Sequence, residues 1–257
     1  MAFVHAKVEI AETAATIAAE GTFVEAAVDA IKAARKEIER QVRKDQFFLA
    51  TMEPYAPEDP GPVVKRMCEA ASVTGVGPMA TVAGTIAQVA LEAMVAKGCT
   101  HGWVDNGGDV ALILDKTATM EVFHEPGAAT AFALRLEPTD DILGVCTSSG
   151  RLGHSISLGD SDVALAMADS AILADALATA IGNHVHGTPS LKTCFDPFKD
   201  IPGMIGGLAM VDGEVALHGR LPRLVEVDHN PERLTVHSRM PPGCYSGSSA
   251  KAQEVRT

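Results

Sequence analysis

The chain predicts an α+β fold, mainly antiparallel sheet with helices packed on one face. Three observations carry that expectation. Strand-like segments come in runs with one or two helices between them, and no regular strand–helix–strand alternation runs through the 257 residues. Hydrophobic residues make up 47% of the sequence but aromatic residues only 4%, so the core is built from Ala, Val, Leu, Ile and Met. Side chains that small let helices and sheets approach closely. Each half also places a long apolar helix near a glycine-containing strand turn, a hint of internal duplication.

The elements follow in order. Val4 to Ala19 alternates as two strands or a bent hairpin. Phe23 to Arg43 is an amphipathic helix. Val24, Ala27, Val28, Ile31, Ala34, Ile38 and Val42 trace its apolar stripe, and Lys32, Arg35, Lys36, Glu39 and Arg40 read as its solvated face. Thr22 and Glu25 have the spacing of a capping box at its start. Pro54, Pro57, Pro60 and Pro62 mark an extended connector, and a short helix follows over Val63 to Ser72. A sharp turn, Thr74 to Pro78, leads into an apolar helix from Met79 to Ala96, closed by Lys97-Gly98. Gly75 and Gly77 beside that helix start suit either a structural turn or an anion site.

Cys99 to Val104 and Val110 to Leu114 read as strands around Asp105-Asn106-Gly107-Gly108-Asp109, a strong hairpin signal. The same two glycines also suit a backbone kept bare for a ligand. Strands continue through Thr119–Phe123, Thr130–Leu136 and Ile142–Thr147, then Ser161–Ala168. A helix covers Ser170 to Gly182, and Ile205–Val211 with Glu214–His218 form a hairpin around Asp212-Gly213. One domain over 1–229 is expected, with a Ser/Gly/Pro-rich tail over 230–257.

Composition excludes several classes. A formal charge of −12 argues against nucleic acid as a partner, since no basic surplus is present to displace phosphate counterions. No run of about 18 consecutive apolar residues signals a membrane span. The N-terminal segment lacks the apolar core of an export signal, so a cytoplasmic location is expected. Five cysteines without CxxC spacing read as reduced thiols rather than a disulfide framework or a zinc knuckle. Cys146 is either core or a thiol facing a pocket.

The chemistry-bearing residues concentrate between Gly144 and Asn183. Asp175 and Thr179 stand at i and i+4 on an alanine-rich helix, so they share one face. A carboxylate and a hydroxyl there are hard oxygen donors that suit Mg²⁺ or Ca²⁺. The plainer alternative is that Asp175 lies on an exposed stripe or caps a neighbouring backbone. His154 follows the turn Thr147-Ser148-Ser149-Gly150, where an imidazole can serve as a general base or as a hydrogen-bonded structural group. His184 and His186 lack an identifiable third metal ligand. The G-x-S-x-G elbow of serine hydrolases is absent.

Taken together, these motifs resemble the ApbE superfamily, the FAD:protein FMN transferases. The resemblance rests on Asn106-Gly107-Gly108-Asp109, on Thr147-Ser148-Ser149-Gly150 followed by His154, and above all on Ala174-Asp175-Ala176-Leu177-Ala178-Thr179-Ala180. Gly77 to Val82 matches an earlier glycine motif, and the likeness covers roughly Thr74 to His218. A compact branch is closest, on KVEIAET, the Phe48–Pro54 segment, GPMATVAG and CTSSGRLGHSISLG.

The resemblance implies a T-fold of two related antiparallel units with helices packed on them, often as a homodimer. It implies Mg²⁺ held by Asp175, Thr179 and the backbone carbonyl of Ala80, on the pyrophosphate of FAD. His154 would activate a threonine hydroxyl of an acceptor protein, with Asp175 also in a catalytic role. Gly77, Asn106, Gly107, Gly108, Asp109, Thr147, Ser148, Ser149 and Gly150 would line the nucleotide site. Two departures stand out: Thr81 replaces the family's lysine, and Ser157-Leu158 replaces an Asp-Pro. The alternative implied is an accessory protein in sulfur assimilation or cofactor metabolism, keeping the fold and pocket without turnover.

Overall fold

A computed structural model describes residues 2–123, 130–149, 158–228 and 255–256. The chain opens with a hairpin, β1 (Phe3–Ile10) and β2 (Thr13–Glu20), paired in unbroken antiparallel register. Helices α1 (Gly21–Lys44), α2 (Gln46–Ala50), α3 (Pro62–Thr74) and α4 (Val82–Val95) follow, with a 3₁₀ turn at Pro78–Thr81 leading into α4. Then come β3 (Gly102–Asp105), β4 (Asp109–Ile113), β5 (Ala118–Phe123), β6 (Thr130–Leu136), β7 (Leu143–Ser148) and β8 (Val163–Ala168). Helix α5 (Ala171–Asn183) is followed by β9 (Met204–Val211), β10 (Glu214–Gly219), β11 (Arg223–Asp228) and β12 (Val255–Arg256).

Two sheets form, both antiparallel. The larger has the order β1-β2-β3-β4-β7-β8-β9-β10, the smaller β11-β6-β5-β12. The large sheet reads twice as hairpin, helix, hairpin. β1–β2 leads through the first helices to β3–β4, and β7–β8 leads through α5 to β9–β10, with β4 pairing β7 where the halves join. The expected duplication is therefore visible in topology. In this layout α4 and α5 are counterparts.

The helices cover one face of the large sheet. There Ile17, Val104, Ala111, Cys146, Ala166 and Ala209 meet Ile31, Leu91, Met94 and Leu177 in one continuous core. On the opposite face Trp103, Leu112, Val145 and Leu165 meet Met120, Leu134 and Leu136 of the small sheet. Pro78–Val95 is long and apolar enough to cross a membrane, yet it is the central helix here, in contact with α1, α5 and β4.

Three local expectations are corrected. The capping box at Thr22 and Glu25 does not form: β2 runs directly into α1, Glu20 is the cap position, and Thr22 already lies inside the helix. Arg35 is buried rather than solvated. Its guanidinium donates to Thr13 Oγ1 at 2.7 Å and pairs with Glu39 and Glu12, because α1 lies over the β1–β2 end. The apolar helix begins as the 3₁₀ turn and becomes α-helical only at Val82. Helix α2 and strand β11 are elements the sequence reading did not assign. The 230–257 tail lies outside the described residues apart from β12, which pairs β5 at Met120 and Thr119.

Candidate functional site

Helices α4 and α5 cross at a glycine. A side chain on Gly84 would meet the Ala171 carbonyl at 2.2 Å and Asp175 Cβ at 2.7 Å, so only glycine permits the approach. Two hydrogen bonds lock the crossing. The Gly84 N–H donates to Asp175 Oδ2 at 2.8 Å, and the Ala171 N–H donates to Gln88 Oε1 at 2.8 Å. Going forward from 84 to 88 on α4 means going back from 175 to 171 on α5, so the helices run antiparallel. Extending that register one turn the other way sets Ala80 opposite Thr179. The 3₁₀ turn that carries Ala80 does pack against α5.

Asp175 is thus a nearly buried carboxylate, 7% exposed, at the N-terminus of α4. A helix start is a favourable place for negative charge because its first N–H groups have no partner within the helix. The glycine-flanked helix start, which suited either a structural turn or an anion site, takes the chain's own Asp175 carboxylate. Gly77 is likewise committed to internal packing, since a Cβ there would strike the Thr51 carbonyl at 2.0 Å. Thr81 is fully buried and donates its hydroxyl to the Pro78 carbonyl.

The β3–β4 turn is pinned to the same place. Asn106 Nδ2 donates to the Ala83 carbonyl in the first turn of α4 at 3.1 Å, and the Asn106 N–H closes the turn on Asp109 O at 3.0 Å. Asp105 Oδ1 accepts from the Gly108 N–H. Gly107 and Gly108 both take positive φ, 68° and 109°, which explains the glycine pair by turn geometry. At the end of β7, the Thr147 hydroxyl and N–H both donate to the Gly108 carbonyl. Ser148 and Ser149 are buried next to it, with Ser149 Oγ donating to Ser161 O. Four pieces therefore meet at one end of the sheet: the start of α4, the Asp175–Thr179 face of α5, the 105–109 turn, and the end of β7. Gly150 and His154 lie outside the described residues.

Cys146 lies beneath this junction and is core. It is fully buried, pairs Asp109 across the β4–β7 ladder, and donates its thiol to the Ala171 carbonyl at 3.4 Å. Burial pushes the thiol far up, and the nearby Asp109 and Asp175 carboxylates push in the same direction, so it stays protonated and unreactive.

Sequence reading missed the parts that hold the crossing. Gly84, Gln88 and Glu92 form an i, i+4 row on α4. Arg66 of α3 clasps Glu92 with two bonds, at 2.9 and 2.6 Å, and Gln88 Nε2 donates to the same carboxylate at 3.0 Å. The signal was present as polar residues at four-residue spacing in an otherwise apolar helix, but nothing local named their partners.

Among the described residues, no group of three or more His, Cys, Asp or Glu side chains stands ready for a metal. A cation here would depend on one carboxylate with neutral oxygens, a donor set that suits hard ions such as Mg²⁺, which keeps several waters.

Comparison with known proteins adds three findings. A family model described as AbpE bacteria matches residues 3–195. A UPF0280 protein of Methanocella arvoryzae is 43% identical over 231 residues, 90% of this chain and 94% of that protein. One from Archaeoglobus fulgidus is 38% identical over 234 residues, 89% and 97% of the two chains. Among solved structures, the flavin transferase ApbE from Vibrio cholerae superposes with a TM-score of 0.55 at 13% identity, over 84% of this chain and 96% of that one. The ApbE protein from Thermotoga maritima gives 0.57 at 14% identity, over 85% and 97%. At such identities the likeness is one of fold.

Proposed function

The chain belongs to the AbpE bacteria family, and on that premise we propose that it binds FAD together with Mg²⁺ at the α4–α5 junction. The observation that carries this reading is the antiparallel register of the two helices. Continued by one turn, that register sets Ala80 opposite Thr179, next to the Asp175–Gly84 bond, and the Asp175 carboxylate, the Thr179 hydroxyl and the Ala80 carbonyl would then be oxygen donors of the kind Mg²⁺ takes. Thr179 and Ala80 are partly exposed, whereas Asp175 is buried.

Bound there, the ion would supply charge neutralisation at the FAD pyrophosphate. The chain's own residues do the rest. Asp175 holds one oxygen on Gly84, which fixes the carboxylate against rotation before any ligand arrives. The 105–109 turn and the end of β7 offer a backbone wall for the nucleotide. Transfer of FMN to a protein threonine is the activity this reading extends to, with His154 as the base and Asp175 beside the reacting phosphate. Thr81 favours a second reading, an accessory protein that binds without turnover: its hydroxyl is spent on the Pro78 carbonyl, where the resembling transferases carry a lysine.

Calorimetry of FAD with and without Mg²⁺ tests the binding claim. Asp175→Asn keeps an oxygen for the Gly84 N–H but removes the charge, and is expected to abolish metal-dependent binding while the fold survives. Thr179→Val is expected to weaken it about tenfold, the effect of losing roughly 1.4 kcal/mol. FAD binding that ignores both Mg²⁺ and Asp175→Asn would sink the proposal. FMN appearing on an acceptor protein separates the first reading from the second.

A further inference from the structure

Among the described residues, the large sheet ends in an edge strand that lacks lysine, proline and a bulge. Edge strands expose unpaired backbone groups, and proteins blunt them with lysine, proline, bulges or a covering element. Strand β10 reads Glu214-Val215-Ala216-Leu217-His218-Gly219. It holds no lysine and no proline, and it pairs β9 without a register shift. Among the described residues β9 is its one neighbour in the sheet. Val215 and Leu217 are 51% and 58% exposed. Both stand on the small-sheet side, since their ladder partners Met210 and Leu208 belong to that core. They continue an apolar surface beyond the point where the small sheet covers it.

We propose that β10 pairs antiparallel with β10 of a second copy of this chain, about a two-fold axis at Ala216. The strand's own sequence fits that register. Val215 then faces Leu217 of the second copy, twice. Ala216 faces its own counterpart, where two small side chains meet without conflict. On the opposite side of the sheet Glu214 faces His218 of the second copy, twice, a carboxylate acceptor against an imidazole donor. His218 is already oriented by stacking on Phe195, with ring centroids 5.5 Å apart and planes at 22°. Aliphatic and opposite-polarity cross-strand pairs are the contacts that stabilise a sheet. In a chain of net −12 two copies repel in general, and this edge carries a single carboxylate per copy, set against a hydrogen-bonding imidazole rather than against the other carboxylate. The result joins two eight-stranded sheets into one continuous sheet, with an isologous interface.

Sedimentation equilibrium of the full chain tests this, with circular dichroism to establish that each variant is folded. The wild-type chain is expected at twice the chain mass. Val215→Lys alone and Leu217→Glu alone each set a charge against an apolar side chain at both symmetric positions, and each is expected to give monomer. The double variant V215K/L217E sets opposite charges across both positions, and is expected to regain the dimer in a form that salt weakens. A wild-type chain that stays monomeric at every concentration overturns the proposal. So does a dimer that survives both single substitutions.

Discussion

A single residue can admit two readings at once, and Asp175 is the plainest case. Its spacing to Thr179 was legible as a possible metal pair, and its alternative reading as a cap for a neighbouring backbone was legible too. The cap is what the structure displays, with Gly84 as the donor. What could not be read was the partner, which lies 91 residues away in sequence. Glu92 shows the same limit. Burial pushes its carboxyl up, but the Arg66 guanidinium and the Gln88 amide outweigh that and hold it below its ordinary value of 4.5. A carboxyl lowered in the folded state adds stability that is present above its unfolded pKa and lost as pH falls through the folded one. Glu92→Gln is therefore expected to melt below the wild type at neutral pH, and the gap is expected to close as pH drops through the range below 4.5. Thermal melts across that range check it; a gap that does not change with pH would refute the assignment.

At the scale of elements, periodicity found most of the helices and strands, and the DNGGD hairpin formed as its turn chemistry required. Boundaries failed where elements run together. Strand β2 passes into α1 with no loop, so the expected cap residues fell inside the helix. Arg35 looked solvated because helical spacing shows only which face a residue takes, not what another element lays across that face. Gly84 was hidden for a related reason, as one glycine in an apolar helix carries no local mark of a crossing. Its role sets a clear expectation. Replacing an interior helical glycine by alanine gains about 1 kcal/mol from helix propensity. Here the added methyl meets the Ala171 carbonyl at 2.2 Å, a backbone atom that moves only if α5 moves. Overpacking of that kind costs about 1–3 kcal/mol or more, and moving α5 also pulls Asp175 from the Gly84 N–H. Gly84→Ala is thus expected to lower the unfolding free energy in urea, and to weaken FAD and Mg²⁺ binding in the variant that remains folded. A stabilised variant would mean the crossing is looser than its contacts indicate.

For the whole molecule, composition and the order of elements were enough for an α+β fold with helices on one face. They were not enough for the second sheet. Strand β11 pairs β6 after some ninety intervening residues, and no local pattern announces which distant strand an alternating segment will join. The two faces of the large sheet are consequently covered by different means, helices on one and a small sheet on the other. That arrangement predicts an ordered pattern of opening. Strands β4, β7 and β8 lie in the middle of the large sheet, paired on both edges and packed on both faces. Val110, Ala111, Leu112, Val145, Cys146, Leu165 and Ala166 are all fully buried. Their amides are released only when both cores come apart, so they should exchange with solvent at the rate of global unfolding. Strand β11 is an edge of the small sheet, and its residues alternate between exposed and half-buried. Peeling it away uncovers little apolar surface, so its amides should exchange through a local opening of much lower free energy. Hydrogen–deuterium exchange read by mass spectrometry is expected to protect Val145–Thr147 and Leu165–Met167 longest and Arg223–Asp228 least among the strands. Added denaturant should speed exchange at the first two segments far more than at the third, because only global opening exposes much surface. Equal protection and equal denaturant dependence across the three would mean that the small sheet unfolds as one unit with the large one.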